Sequence, residues 1–161
     1  MKAPNASIIL LFVALSGGSS GQGVRPLPAP DKDPFVGTWK ANRDKSRPKL
    51  NDEDASYVRT ISREGDELVF SSRTHRPKSS KLNEQHYRIY CDGSPHPVPF
   101  GSLSCEYKGA SLIEGETLEP TNERSFWARE VSADGQELKI LEYKDKARTK
   151  LRRTWVLDRV N

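Results

Sequence analysis

The chain has 161 residues and 18.1 kDa, enough for one domain and short for two. Charged residues make up 30%, hydrophobic residues 34%, and mean hydropathy is −0.75, which excludes a protein that crosses a membrane many times with helices. A net charge of only +4 argues against a disordered polyelectrolyte, and the apolar content supports a small core but not a large one.

Apolar residues are concentrated at the start, with eleven in the first 21 positions. Met1-Lys2 is a short positive beginning, Ser7 to Leu15 is a mostly apolar run, and Ser16 to Gly21 are small residues. That order predicts a secretory signal peptide over residues 1–21, with Ala14-x-Ser16 as a cleavage pattern. Nine apolar residues span roughly 14 Å as a helix, against ~30 Å of hydrocarbon, so no stable membrane anchor is expected. The first cysteine is Cys91, too far along to carry a lipid. The expectation is a secreted or periplasmic protein. Residues 22–34, with prolines at 26, 28, 30 and 34, read as a proline-rich linker or tail, and residues 35–161 as the folded domain.

From Phe35 onward the pattern is that of short antiparallel strands. Ser56 to Arg63 alternates, placing Tyr57, Arg59 and Ile61 on one face. Glu64-Gly65-Asp66 turns the chain into a return strand, Glu67 to Thr74. Glu84 to Tyr90 follows and is stopped by Cys91-Asp92-Gly93. Pro95, Pro97 and Pro99 make the next piece an edge or connection. Further strands are expected at 103–108, 111–117, 123–131, 137–143 and 150–160, with one helical turn at 51–55. Eight to ten strands at such spacing predict an all-β antiparallel sandwich or barrel.

The first strand, Asp33-Pro34-Phe35-Val36-Gly37-Thr38-Trp39-Lys40, contains Gly-x-Trp at the entrance to an all-β domain. This resembles the opening signature of lipocalins and the wider calycin group. The run through Asn42 and Lys45-Ser46 looks similar to small secreted lipocalin-like proteins of bacteria. Tyr87-x-x-Tyr90-Cys91-Asp92-Gly93, Ser132 to Leu138 and Thr154-Trp155-Val156 extend the likeness over most of residues 33–160. The resemblance implies a lipocalin-like barrel whose first-strand Trp39 seals one end, with Gly37 permitting a tight bend beside it. It also implies an arginine of the last strand stacked across Trp39. Arg152 and Arg153 are the candidates, and alternation with Leu151, Trp155 and Leu157 favours Arg153.

Cys91 and Cys105 are the only cysteines, and in an oxidising compartment they predict a disulfide closing a 15-residue loop, worth about 3 kcal/mol. His75, His86 and His96 lie 11 and 10 residues apart, which is not metal-ligand spacing, so no metal and no cofactor is expected. No Gly-x-Ser-x-Gly elbow or phosphate loop lies in the domain, and no enzymatic activity is expected. Acidic neighbours interrupt the basic clusters, which speaks against a nucleic-acid partner.

The reading that remains is a binder of a small apolar or amphipathic molecule held in the barrel. Its alternative is a structural or interaction protein whose barrel is filled by its own side chains. By alternation the lining of a mouth would come from Tyr57, Arg59, Ile61, Leu68, Phe70, Tyr87 and Ile89, with Arg59 placed to meet an anionic head group.

Overall fold

The computed structural model describes residues 32–75 and 82–160. The segment read as a signal peptide lies outside them. Ten strands follow one another in a single antiparallel meander: β1 (Gly37–Ala41), β2 (Val58–Glu64), β3 (Glu67–His75), β4 (Leu82–Tyr90), β5 (His96–Val98), β6 (Gly101–Gly109), β7 (Leu112–Leu118), β8 (Arg124–Val131), β9 (Glu137–Tyr143) and β10 (Leu151–Val160). One helical turn, α1 (Asp52–Ala55), is capped by the Asn51 side chain, which accepts from the Asp54 amide. The sheet order is β4-β3-β2-β1-β10-β9-β8-β7-β6-β5, so the pairing of the first and last strands rolls the meander into a nearly closed barrel.

The edge strands β4 and β5 meet at one end only. There Asp92 bridges Glu106, the Gly93 amide donates to the Cys105 carbonyl at 2.8 Å, and Cys91 is disulfide-bonded to Cys105 across a Cα separation of 4.5 Å. The proline-rich piece is the short edge strand β5, as a residue without an amide donor requires.

The same end carries the core. Phe35, Trp39, Ile61, Leu68, Ile89, Leu138 and Leu157 are all 1% exposed or less. The chain before β1 seals it. Asp33, placed by its sequence context in the linker, is buried and accepts from Tyr107 Oη at 2.8 Å, from Arg63 Nη1 at 2.7 Å and from the Phe35 amide at 3.0 Å. Burial and the Asp33 carboxylate raise the pKa of the Tyr107 hydroxyl above its ordinary value, so the phenol stays protonated as a donor.

The arginine across Trp39 is Arg159, not Arg153. Arg159 and Trp39 are cross-strand partners, and the guanidinium lies 4.2 Å from the ring centroid. Its N–H groups donate to the carbonyls of Gly135 (2.6 Å), Val36 (2.9 Å) and Pro34 (2.8 Å), while Trp39 Nε1 donates to Phe35 O at 2.9 Å. Gly37 has φ +147°, and a Cβ there would collide with Arg159 Nη1, so this position needs glycine twice over. Arg153 shares the alternation of Arg159 but lies six residues earlier, about 20 Å back along the strand toward the other end of the barrel. There it faces Trp155 at 5.7 Å and Glu142 at 3.8 Å.

The residues between β1 and α1 lock the first strand to the last. Ser46 Oγ donates to Asn42 O at 2.6 Å and accepts from the Val156 amide at 3.0 Å, and Asn42 Nδ2 donates to Asp158 at 2.6 Å. The Asn and Lys-Ser positions noted in the sequence are thus structural.

Candidate functional site

The end of the barrel opposite Trp39 is hollow. A cavity of about 410 Å3 is lined by Tyr57 and Arg59 of the β2 side, by Gln85 of β4, by Phe100, Leu103 and Thr117, by Ser125, Trp127 and Arg129 of β8, by Ile140 and Glu142 of β9, and by Arg152 and Trp155 of β10, with Glu119 among them. The volume lies within the range of small-molecule sites. A second hollow of about 330 Å3 lies beside it, between β4 and the Pro99-Phe100 turn, where the edge strands are unpaired. Phe100 borders both hollows and meets the Tyr87 ring edge-on at 5.1 Å.

Across the barrel, between core and cavity, lies a layer of aromatic rings and two guanidiniums. Phe70 and Tyr87 stack in parallel at 5.0 Å. Arg59 lies 5.4 Å from the Phe70 centroid and 5.2 Å from that of Tyr57. Arg129 lies 4.6 Å from Phe70 and 4.4 Å from Trp127. Trp127 reaches this position because β7 carries Gly115 opposite it; a Cβ at residue 115 would strike the indole ring. Thr117 Oγ1 accepts the Trp127 indole N–H at 3.1 Å.

Both guanidiniums are buried, Arg59 at 9% exposure and Arg129 at 6%, and among the described residues neither forms an ion pair with a carboxylate. Arg129 Nη2 donates to Tyr87 Oη at 3.4 Å, a weak contact, while Arg59 Nε, Arg129 Nε and Arg129 Nη1 have no partner. Burial depresses the Arg129 pKa, the Tyr87 phenol opposes this, and the like charge of Arg59 adds to it. Although burial alone would raise the Tyr87 pKa, the two guanidiniums draw it below its ordinary value. Arginine remains charged even so. Cation–π contacts of about 0.5–2 kcal/mol each offset part of the desolvation, and although burial opposes it, Tyr87 and Tyr57 hold the Arg59 pKa above its ordinary value, so the shortfall falls on Arg129. The layer is therefore a floor of aromatic rings holding two buried guanidiniums, three of whose nitrogens are unpaired among the described residues.

The structure separates the seven residues expected to line a mouth. Tyr57 and Arg59 line the cavity. Phe70 and Tyr87 form the layer beneath it. Ile61, Leu68 and Ile89 are a correction: they belong to the sealed core, at 1% exposure or less. Alternation tells which way a side chain faces, not how deep along the barrel it sits. Arg129, Trp127 and Trp155 were not singled out as lining. Trp127, Arg129 and Val131 share one face of β8, but Ala128 between the first two is buried as well, and an arginine between Ala128 and Glu130 reads as surface charge.

No protein-family model and no curated protein matches the sequence. Solved structures do. A fatty acid binding protein of Schistosoma mansoni, in complex with arachidonic acid, aligns with TM-score 0.56 at 12% identity, over 81% of this chain and 98% of that one. Secretory abundant heat soluble protein 4 of Ramazzottius varieornatus aligns with TM-score 0.52 at 10% identity, over 80% and 96% of the two chains. A Helicobacter pylori protein described as belonging to the lipocalin family aligns with TM-score 0.45 at 11% identity, over 79% and 83%. The fold is thus a nearly closed antiparallel β-barrel similar to that of the fatty acid binding protein.

Proposed function

We propose that this protein binds a small amphipathic anion, its charged group held by Arg59 and Arg129 and its apolar part by Phe100, Leu103, Trp127 and Ile140. One observation carries the reading: two buried guanidiniums without a carboxylate partner border a cavity of about 410 Å3. A structural protein gains nothing from burying unpaired charge, whereas a receptor must leave such groups free. The Schistosoma protein, solved with arachidonic acid, is a precedent for this architecture enclosing such a molecule. The present cavity has room for about a dozen non-hydrogen atoms, at the ~30 Å3 each takes in a condensed phase. A medium-chain acid fits that volume. The role is carriage or capture rather than catalysis. A site outside the cytoplasm is part of the proposal, supported by the Cys91–Cys105 bond and the leader-like amino terminus.

Trp127 and Trp155 in the cavity wall supply the test. Titration with decanoate should quench or shift tryptophan fluorescence saturably, at about micromolar strength. Arg129→Gln should weaken binding at least tenfold, as loss of a buried charge partner does. No saturable change up to millimolar decanoate, or an Arg129→Gln variant that binds as the parent does, would overturn the proposal.

A further inference from the structure

Four buried side-chain atoms lack a hydrogen-bond partner among the described residues: Arg59 Nε, Arg129 Nε, Arg129 Nη1 and Trp155 Nε1. All four are donors, and all three residues line the same cavity. The other two tryptophans are satisfied, Trp39 by Phe35 O at 2.9 Å and Trp127 by Thr117 Oγ1 at 3.1 Å. Trp155 is thus the one indole N–H left unpaired, buried on a residue of the cavity wall.

Trp155 does not belong to the arginine layer. Its ring meets Tyr57 edge-on at 5.6 Å and 88°, and Tyr57 in turn lies 5.2 Å from the Arg59 guanidinium. The Tyr57 ring thus touches Trp155 on one hand and Arg59 on the other. A single carboxylate has two oxygens, and the three unpartnered guanidinium nitrogens, with four N–H groups between them, already compete for these. Nothing of a plain alkyl acid is left for the indole, since the rest of its chain has no acceptor.

From this we infer that the ligand is an oxygenated amphipathic acid, with a hydroxyl, keto or similar oxygen along its chain that accepts a hydrogen bond from Trp155 Nε1. The inference rests on the reading of Arg59 and Arg129 as the anion site and adds a specificity residue to it. A plain chain filling the cavity would leave the buried indole N–H unpaired. An oxygen at the matching position restores the bond, and a buried donor left bare is what makes such sites discriminate.

The test is a walk of one oxygen along a fixed chain. Decanoate and a series of monohydroxydecanoates, substituted from carbon 3 to carbon 10, are titrated against the parent protein and Trp155→Phe. One or two adjacent positions should bind about tenfold tighter than decanoate. The advantage should vanish in Trp155→Phe, the preferred isomer and decanoate then binding within about twofold of each other whatever the change does to both. In 15N-labelled parent protein the free indole N–H should shift on binding the preferred isomer and not on binding decanoate, a readout that needs no variant. If decanoate binds but no isomer exceeds it by more than twofold, or the preference survives in Trp155→Phe without an indole shift, the inference falls and the anion site stands. If neither decanoate nor any isomer binds, both fall.

Discussion

Arg59 and Arg129 are charged residues on strands that point inward, and a fold selected only for stability would not keep them there. Replacing a buried, uncompensated charge by an apolar side chain of similar length is often stabilising. Arg129→Met should therefore raise the stability of the ligand-free protein by about 1–2 kcal/mol, after loss of its stacking on Phe70 and Trp127, while reducing decanoate affinity at least tenfold. Chemical denaturation and titration of the same variant check both halves. Trp39 is the opposite case, fully buried and fully bonded at the sealed end. Trp39→Ala should cost about 3–5 kcal/mol, and a variant melting like the parent would show that Arg159 and Phe35 do not depend on it. At Tyr107 the linkage has a definite sign. Its folded-state pKa is raised, so the contribution is complete below pH ~10, where the unfolded phenol begins to ionise, and is lost as pH rises beyond that. Tyr107→Phe should be less stable at neutral pH yet lose less on going to pH 11, as denaturation at the two pH values would show.

At the scale of elements, alternation and turns carried most of the architecture. Gly65-Asp66 and Ser132 to Gln136 fall between strands, with Glu64 closing β2, and the prolines confine β5 to an edge. What alternation could not supply was position along the barrel axis. Arg153 and Arg159 share a face, and only the register of β1 on β10 selects Arg159 for Trp39. Depth likewise divides Ile61 from Arg59, two residues apart on β2, into core and cavity. Asp33 looked like part of a proline-rich spacer because its partners, Arg63 and Tyr107, are 30 and 74 residues away. The Cys91–Cys105 bond ties β4 to β6 where the barrel seam closes, beside the Asp92–Glu106 bridge. Cys91→Ser with Cys105→Ser should cost about 2–4 kcal/mol in thermal or urea unfolding. Amide exchange should rise first along β4 and β5, the unpaired edges, and uniform protection in the double variant would contradict this role for the bond.

The whole molecule is half filled and half hollow. The Trp39 end is a solid core of the kind expected of a structural protein, and the other end holds a cavity floored by aromatic rings and two guanidiniums. Sequence reading left both functions open because volume is a property of ten strands together, while each strand shows only its own pattern. In the proposed function charge, not apolar surface alone, selects the ligand. Calorimetric titration of the parent protein with decanoate and with decanol, equal in chain length and differing in charge, tests it most directly. Decanoate should bind at about micromolar strength and decanol at least thirtyfold more weakly, the difference supplied by Arg59 and Arg129. Equal affinities, or tighter binding of decanol, would contradict the account.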